Sequence, residues 1–209
     1  MIFIILLLSL SLNSCSDSRQ NETLNTGRLQ KDTCDNADAD AECCFLNMPE
    51  NLNRVINIAG QDEPGRRMNI KGKILMDDSI TPLSDVIIYA YHTDNSGYYT
   101  KIGNEKGIQK WHGHLHGWGK TDASGNYEIN SIRPARYPEN RFPAHIHAVL
   151  KIPGKIPFYI NDFVFKDDSL VNENYTGSLI SQGGTGIVEL KENPEKVLLG
   201  ERNIILNIK

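Results

Sequence analysis

The chain has 209 residues, 39% hydrophobic and 23% charged, with 22 Lys and Arg against 26 Asp and Glu for a formal net charge of −4. That composition suits one sizeable core with or without a tail, and it lacks the clustered basic charge that nucleic-acid phosphates require. Seventeen Gly and 9 Pro are dispersed along the chain, which excludes collagen and wholesale disorder, and 4 Cys are too few for a disulfide scaffold.

Met1 to Leu12 reads MIFIILLLSLSL, about half the length of a membrane-spanning helix and the length of a signal-peptide apolar region. Leu12-Asn13-Ser14-Cys15 follows at once. The pattern resembles a bacterial lipoprotein signal, although basic residues ahead of the apolar run are missing. The resemblance implies a signal peptide at 1–14, lipid on Cys15, and export to the cell envelope as an outer-membrane or periplasmic lipoprotein. The protein would then be held at the bilayer by acyl chains and not by a helix. A plain signal peptide or a buried apolar strand is the alternative. Residues 15–60 read as a polar linker and domain lead-in, with Ser, Asn, Asp, Gln and Thr dominant to about Asp40. Export permits a disulfide between Cys34 and either Cys43 or Cys44. A metal site from these three lacks a local His or fourth Cys to complete a tetrahedral set.

Residues 61–209 read as one domain of short strands separated by turns. Met68–Met76 is a strand, and Val86–His92 (VIIYAYH) is a second, dense in β-branched and aromatic residues. Asp94-Asn95-Ser96-Gly97 and Asp122-Ala123-Ser124-Gly125 are turns, the latter leading into the alternating Asn126–Asn130. Strands at 145–152, 158–165, 186–190 and 203–208 follow. No segment sustains a helical period over three turns. The pattern predicts an all-β, two-sheet sandwich with little helix.

Chemistry concentrates at Tyr137-Pro138 and Pro143-Ala144-His145-Ile146-His147. In a strand starting near Ala144, alternation puts His145 and His147 on one face, ~6.6 Å apart at Cα. Ile146, Ala148, Leu150 and Ile152 then anchor the other face. Two imidazoles side by side can converge on one ion, or they are surface residues on a half-buried strand. Tyrosines stand nearby in sequence, at Gly97-Tyr98-Tyr99 and at Tyr137, which its following Pro holds extended. A phenol ionises near pH 10, but a hard trivalent cation stabilises the phenolate, and two phenolates with one hydroxide neutralise Fe(III).

These motifs resemble the intradiol ring-cleavage dioxygenases, the group containing catechol and protocatechuate dioxygenases. The residues that carry the resemblance are VIIYAYH with Gly97-Tyr98-Tyr99, Gly117-Trp118-Gly119-Lys120-Thr121-Asp122 leading to Gly125-Asn126-Tyr127, Ser131-Ile132-Arg133-Pro134 with Tyr137-Pro138, Pro143–His147, and Tyr159–Phe165. The resemblance implies a transthyretin- or immunoglobulin-like sandwich with long loops. It implies Fe(III) held by Tyr99, Tyr137, His145 and His147, with Tyr98 the competitor for the first place. It also implies a small aromatic diol and O2 as substrates, with Tyr137 leaving the metal to act as base. The better-known members carry an Arg directly before Pro-Ala-His that stabilises charge on the substrate. Here that position is Phe142, with Arg141 one residue earlier, and in an extended chain such a slip reverses the face. Arg141 and Arg133 are the candidates for this role. The alternating His112, His114 and His116 line the pocket, form an accessory metal patch, or belong to an exposed strand. His92 reads as a strand-end residue. The rival functions are a non-catalytic envelope-anchored binding module and an iron-binding relative with altered chemistry. Oligomeric state stays open.

Overall fold

The computed structural model describes residues 33–208, so the apolar run at 1–12 and Cys15 lie outside it. In chain order the strands are β1 (Val55–Asn57), β2 (Arg67–Met76), β3 (Ile87–His92), β4 (His116–Lys120), β5 (Asn126–Ile132) and β6 (His145–Lys151). They continue with β7 (Phe158–Tyr159), β8 (Phe163–Phe165), β9 (Ile187–Val188), β10 (Lys191–Glu192), β11 (Leu198–Glu201) and β12 (Ile204–Leu206). Among the described residues, the helical elements are a 3-10 segment at Ala41–Phe45, one turn at Gln109–His112 (α1) and another at Glu173–Gly177 (α2). One sheet runs β1-β5-β2-β11-β10 with β12 also on β2, and the other runs β4-β3-β6-β8-β9 with β7 also on β6. The fold is the all-β two-sheet sandwich that the strand spacing predicts.

Period-two patterning explains why the sheets face each other. Met68, Ile70 and Ile74 of β2 and Tyr127 and Ile129 of β5 point inward, while Asn69, Lys71, Lys73 and Glu128 stay outward. They meet Ile88 and Ala90 of β3 and Ile146, Ala148 and Leu150 of β6 in a single core. Each fully buried Ile or Leu contributes ~1.5–3 kcal/mol, so Ile146 and Leu150, with Ala148 between them, hold β6 firmly. Gly72 is where β2 passes beneath the link between β11 and β12. A Cβ there would lie 1.7 Å from the Arg202 carbonyl oxygen, which also accepts a hydrogen bond from Tyr127 Oη at 2.6 Å.

The outer face of the second sheet is also covered. Tyr89, Tyr91 and Val149 lie under Cys44, Phe45, Ile108 and the Cys34–Cys43 disulfide. Cys44 stays a free, buried thiol. The stretch expected as a lead-in thus contributes to the fold from its bridge onward, and its three-residue β1 adds a parallel edge to β5.

The expected strand at 158–165 is divided. β7 pairs Val149 with Tyr159, whereas β8 pairs Ile146 with Phe163. Between these pairs two residues of β6 oppose three of the partner, a bulge at residues 160–162 that bends the strand and re-aims its side chains.

Candidate metal centre and active site

β6 places His145 and His147 on the outer face of its sheet, with Ile146 fully buried on the opposite side. His147 faces Tyr91 of β3 across the ladder, their ring centroids 4.7 Å apart. Tyr99 and Tyr137 arrive on separate loops. The first is shaped by Asp94, whose Oδ1 accepts from the amides of Ser96 and Tyr98 at 2.8 and 3.1 Å and whose Oδ2 accepts from Thr100 Oγ1 at 2.6 Å. Gly97 sits at φ 88° with the Arg136 carbonyl so close that a Cβ would lie 2.1 Å from its oxygen. Only Gly combines that left-handed backbone with that approach, which brings the Tyr99 loop against the Tyr137 loop. The Tyr137 loop is clasped to β6 by buried Asp168, which accepts from Arg136 Nε and from the Ala144 amide, each at 2.9 Å.

Four donor atoms converge. Tyr99 Oη lies 2.7 Å from Tyr137 Oη and 3.1 Å from His147 Nε2. Tyr137 Oη lies 3.2 Å from His145 Nε2 and 3.3 Å from His147 Nε2, and the two Nε2 atoms are 3.0 Å apart. Ligands bound at ~2.0–2.1 Å to one centre lie ~2.9–3.4 Å from each other, close to these separations.

The far sides of the rings fix which lone pairs point inward. His145 Nδ1 is 2.7 Å from the Pro143 carbonyl, and His147 Nδ1 is 2.9 Å from Asp162 Oδ1. A carbonyl and a carboxylate only accept, so both Nδ1 atoms carry the hydrogen and both Nε2 atoms present lone pairs. Two lone pairs at 3.0 Å repel unless a cation stands between them. The two phenols supply only two hydrogens to the quartet, and neither can relieve the nitrogen–nitrogen contact. Burial raises the Tyr99 phenol well above its ordinary value, with neighbouring Tyr137 adding to it, and burial likewise raises Tyr137. Burial, then the adjacent His147, lowers His145. The protein alone therefore favours the neutral form of both phenols, and a hard trivalent ion bound among them would favour the phenolates. This donor set fits a ferric ion.

His145, His147 and Asp162 also form a three-residue group whose ligand atoms lie within 4.8 Å of one another. Asp162 nonetheless meets His147 at Nδ1, on the far side of the ring from the converging Nε2, so it orients the imidazole. Asp162 is the residue the sequence pattern alone did not single out. It lies in the β6–β8 register opposite His147, one step beyond the Ile146–Phe163 pair, at the end of the bulge.

A cavity of about 260 Å³ opens beside the cluster. Tyr137, His145 and His147 border it, and Tyr99 does not. Phe142, Pro143 and Val164 form an apolar wall, with Asp162 and Tyr175 completing the lining. A larger concavity of about 610 Å³, along Asn69, Lys71, Leu199 and Glu201, contains none of the donors and lies along outward-facing residues of β2 and β11.

Neither candidate arginine lines the smaller cavity. Arg133 forms a two-pronged pair with Asp167 at 2.6 and 2.9 Å and lies over the Phe165 ring. Arg141 is exposed, and the one-residue offset places Phe142 on the cavity wall instead. Tyr98 is 57% exposed and outside the cluster.

The three alternating histidines do not share a strand face, because Gly113 at φ 72° breaks the run. His112 ends α1, stacks on Tyr91 with centroids 3.6 Å apart, and meets Tyr89 Oη through Nδ1 at 2.8 Å. His114 bridges the Thr100 carbonyl and Glu63 at 2.7 and 3.0 Å, and His116 starts β4. His92 does end its strand, fully enclosed. Its Nδ1 meets the Thr93 carbonyl and its Nε2 meets Ser131 Oγ, both at 2.6 Å, joining the two sheets.

The family profile described as Dioxygenase matches residues 44–206. The dioxygenase domain of a carbohydrate-binding fusion protein from Streptomyces sp. SirexAA-E is similar in fold, with TM-score 0.58, 18% identity, and coverage of 78% of this chain and 93% of that one. The 3-chlorocatechol 1,2-dioxygenase of Rhodococcus opacus 1CP aligns at TM-score 0.55 and 18% identity over 78% of this chain and 68% of its own. An intradiol ring-cleavage dioxygenase from Tetranychus urticae aligns at TM-score 0.53 and 18% identity over 77% and 89%. Profile match, sandwich and sequence motifs agree: this chain belongs to the intradiol ring-cleavage dioxygenase family.

Proposed function

We propose that the protein is a non-haem Fe(III) enzyme that cleaves a catechol-type ring between its two hydroxyls and incorporates both atoms of O2. The observation that carries this reading is the convergence of two phenol oxygens and two imidazole lone pairs beside a small cavity. Tyr99, Tyr137, His145 and His147 would hold the ion. Bound there, iron supplies Lewis acidity toward the diol and the redox route between diol and O2.

The chain's own contribution is position and proton handling. Asp162 and the Pro143 carbonyl hold both imidazoles in the ligating tautomer. Tyr137 both joins the cluster and borders the cavity, so its oxygen is placed to take a proton from a bound diol. Tyr99, away from the cavity lining, stays as the fixed phenolic donor. Phe142, Pro143 and Val164 offer the flat ring an apolar wall and keep water from its faces. The Cys34–Cys43 bridge supports an exported setting, the compartment where such bonds persist. Lipid on Cys15 is part of the same proposal, tested by mass spectrometry of the mature amino terminus.

The deciding experiment loads purified protein with iron and follows oxygen uptake with a panel of catechols. Stoichiometric iron, a visible tyrosinate-to-iron absorption band and a ring-opened dicarboxylic product are expected. Protein that stays colourless and free of iron after loading sinks the proposal. Iron uptake without oxygen consumption marks an iron-holding relative with other chemistry.

A further inference from the structure

We propose that this cavity selects catechol rings that carry no carboxylate, and that Asp162 sets the preference; the inference rests on the dioxygenase reading above. Among the described residues that line the cavity there is no Lys or Arg, and Asp162 is the one carboxylate. Its Oδ1 is bound to His147 Nδ1 at 2.9 Å, so the charge is held at the donor cluster and cannot swing away without releasing that ring.

Arg141, beside Phe142, is exposed and outside the lining, and three further arginines near the cavity hold contacts of their own. Arg136 binds Asp168 through Nε at 2.9 Å and Asn140 through Nη1 at 3.0 Å. Arg133 binds Asp167. Buried Arg202 donates to the carbonyls of Asn161 and Gly183 at 2.9 and 3.2 Å and lies over the Phe163 ring. None of the three belongs to the lining.

A ring bearing a carboxylate would leave water for a space whose apolar wall is Phe142, Pro143 and Val164. There it would lose hydration without gaining a cationic partner. It would also meet a fixed like charge, an arrangement that interfaces use to reject the wrong partner. An uncharged substituent avoids both costs, and a cationic one gains Asp162 as a partner. At about 260 Å³ the cavity falls below the usual range for drug-sized ligands, which restricts it to one ring with a small substituent.

The test compares three diols of nearly equal shape: protocatechuate, its carboxamide and the matching dihydroxybenzylamine. Each is titrated without oxygen into iron-loaded full-length protein while the visible tyrosinate-to-iron band is followed, so binding is read independently of turnover. The amide and the amine are expected to bind, with protocatechuate on the order of tenfold or more weaker than the amide. Asp162→Asn, which keeps an acceptor for His147, narrows that gap. Phe142→Lys, a change at a residue 60% exposed and outside the donor cluster, narrows it by adding a cation to the wall. Equal affinity of the wild type for protocatechuate and its amide overturns the inference while leaving the dioxygenase reading intact. A gap that Asp162→Asn leaves unchanged overturns the role given to Asp162, and one that Phe142→Lys leaves unchanged overturns the account from the missing cation. If none of the diols perturbs the band, the reading of the site itself falls, and the selection with it.

Discussion

At the scale of single residues, the donors differ in what supports them. His145 is held by a backbone carbonyl, which substitution cannot remove, whereas His147 depends on a replaceable carboxylate. Asp162→Ala should therefore weaken iron binding about 10–100-fold, the usual effect of removing such a partner, as measured by competition with a chelator. Unchanged affinity would show that Tyr91 and the strand orient the ring unaided. Tyr137→Phe removes at once a donor of the cluster and a hydroxyl of a residue that borders the cavity. Turnover should drop by at least about 10²-fold with a shifted or weakened visible band, while Tyr98→Phe leaves both as they were. The His-x-His pair was legible because a strand repeats every two residues and Ile146, Ala148 and Leu150 mark its other face. Asp162 was not, because its place depends on a bulge and on pairing between strands separated by a turn.

At the scale of elements, close approaches make firm demands. Gly72→Ala would drive a methyl group into the Arg202 carbonyl, where β2 passes the β11–β12 link. A loss of about 2 kcal/mol or more is expected in urea unfolding, since backbone must move to make room. The Cys34–Cys43 bridge closes a loop with a sequence separation of 9, for which chain entropy gives about 2–3 kcal/mol. Replacing both cysteines by Ser should lower the unfolding midpoint accordingly, and adding reductant to the wild type should do the same. Long alternating strands such as β2, β3, β5 and β6 were readable from their residues. β1, β10 and β11 were not, being two to four residues long and defined by their neighbours. The histidine run misleads as a strand pattern because Gly113 turns the chain between His112 and His116.

Across the whole molecule, buried imidazoles tie stability to pH. Burial drops His92 to about 4 despite its bond to the Thr93 carbonyl, and burial with neighbouring His147 and His116 drops His112 to about 3. Both values lie below the ordinary histidine value of 6.5. In the window beneath 6.5 the unfolded chain takes up protons that the folded chain refuses. Stability is thus fully present above that value and declines as pH falls toward 4 and then 3, by about 3 kcal/mol from His92 alone. Urea titrations at pH 7 and pH 4.5 should show the loss. Ser131→Ala, which removes the partner that His92 meets across the sandwich, should lower stability at both pH values by about 1–3 kcal/mol.

The two nitrogens of the centre share one strand, while the two oxygens come from two loops that meet at Gly97 and Arg136, at Asp94 and Ala135, and at the phenols themselves. An ion held there would rest on one half built on a strand ladder and one half built on contacts between loops. Any change that loosens those loops would then alter how readily the ion is released, while leaving its landing place intact.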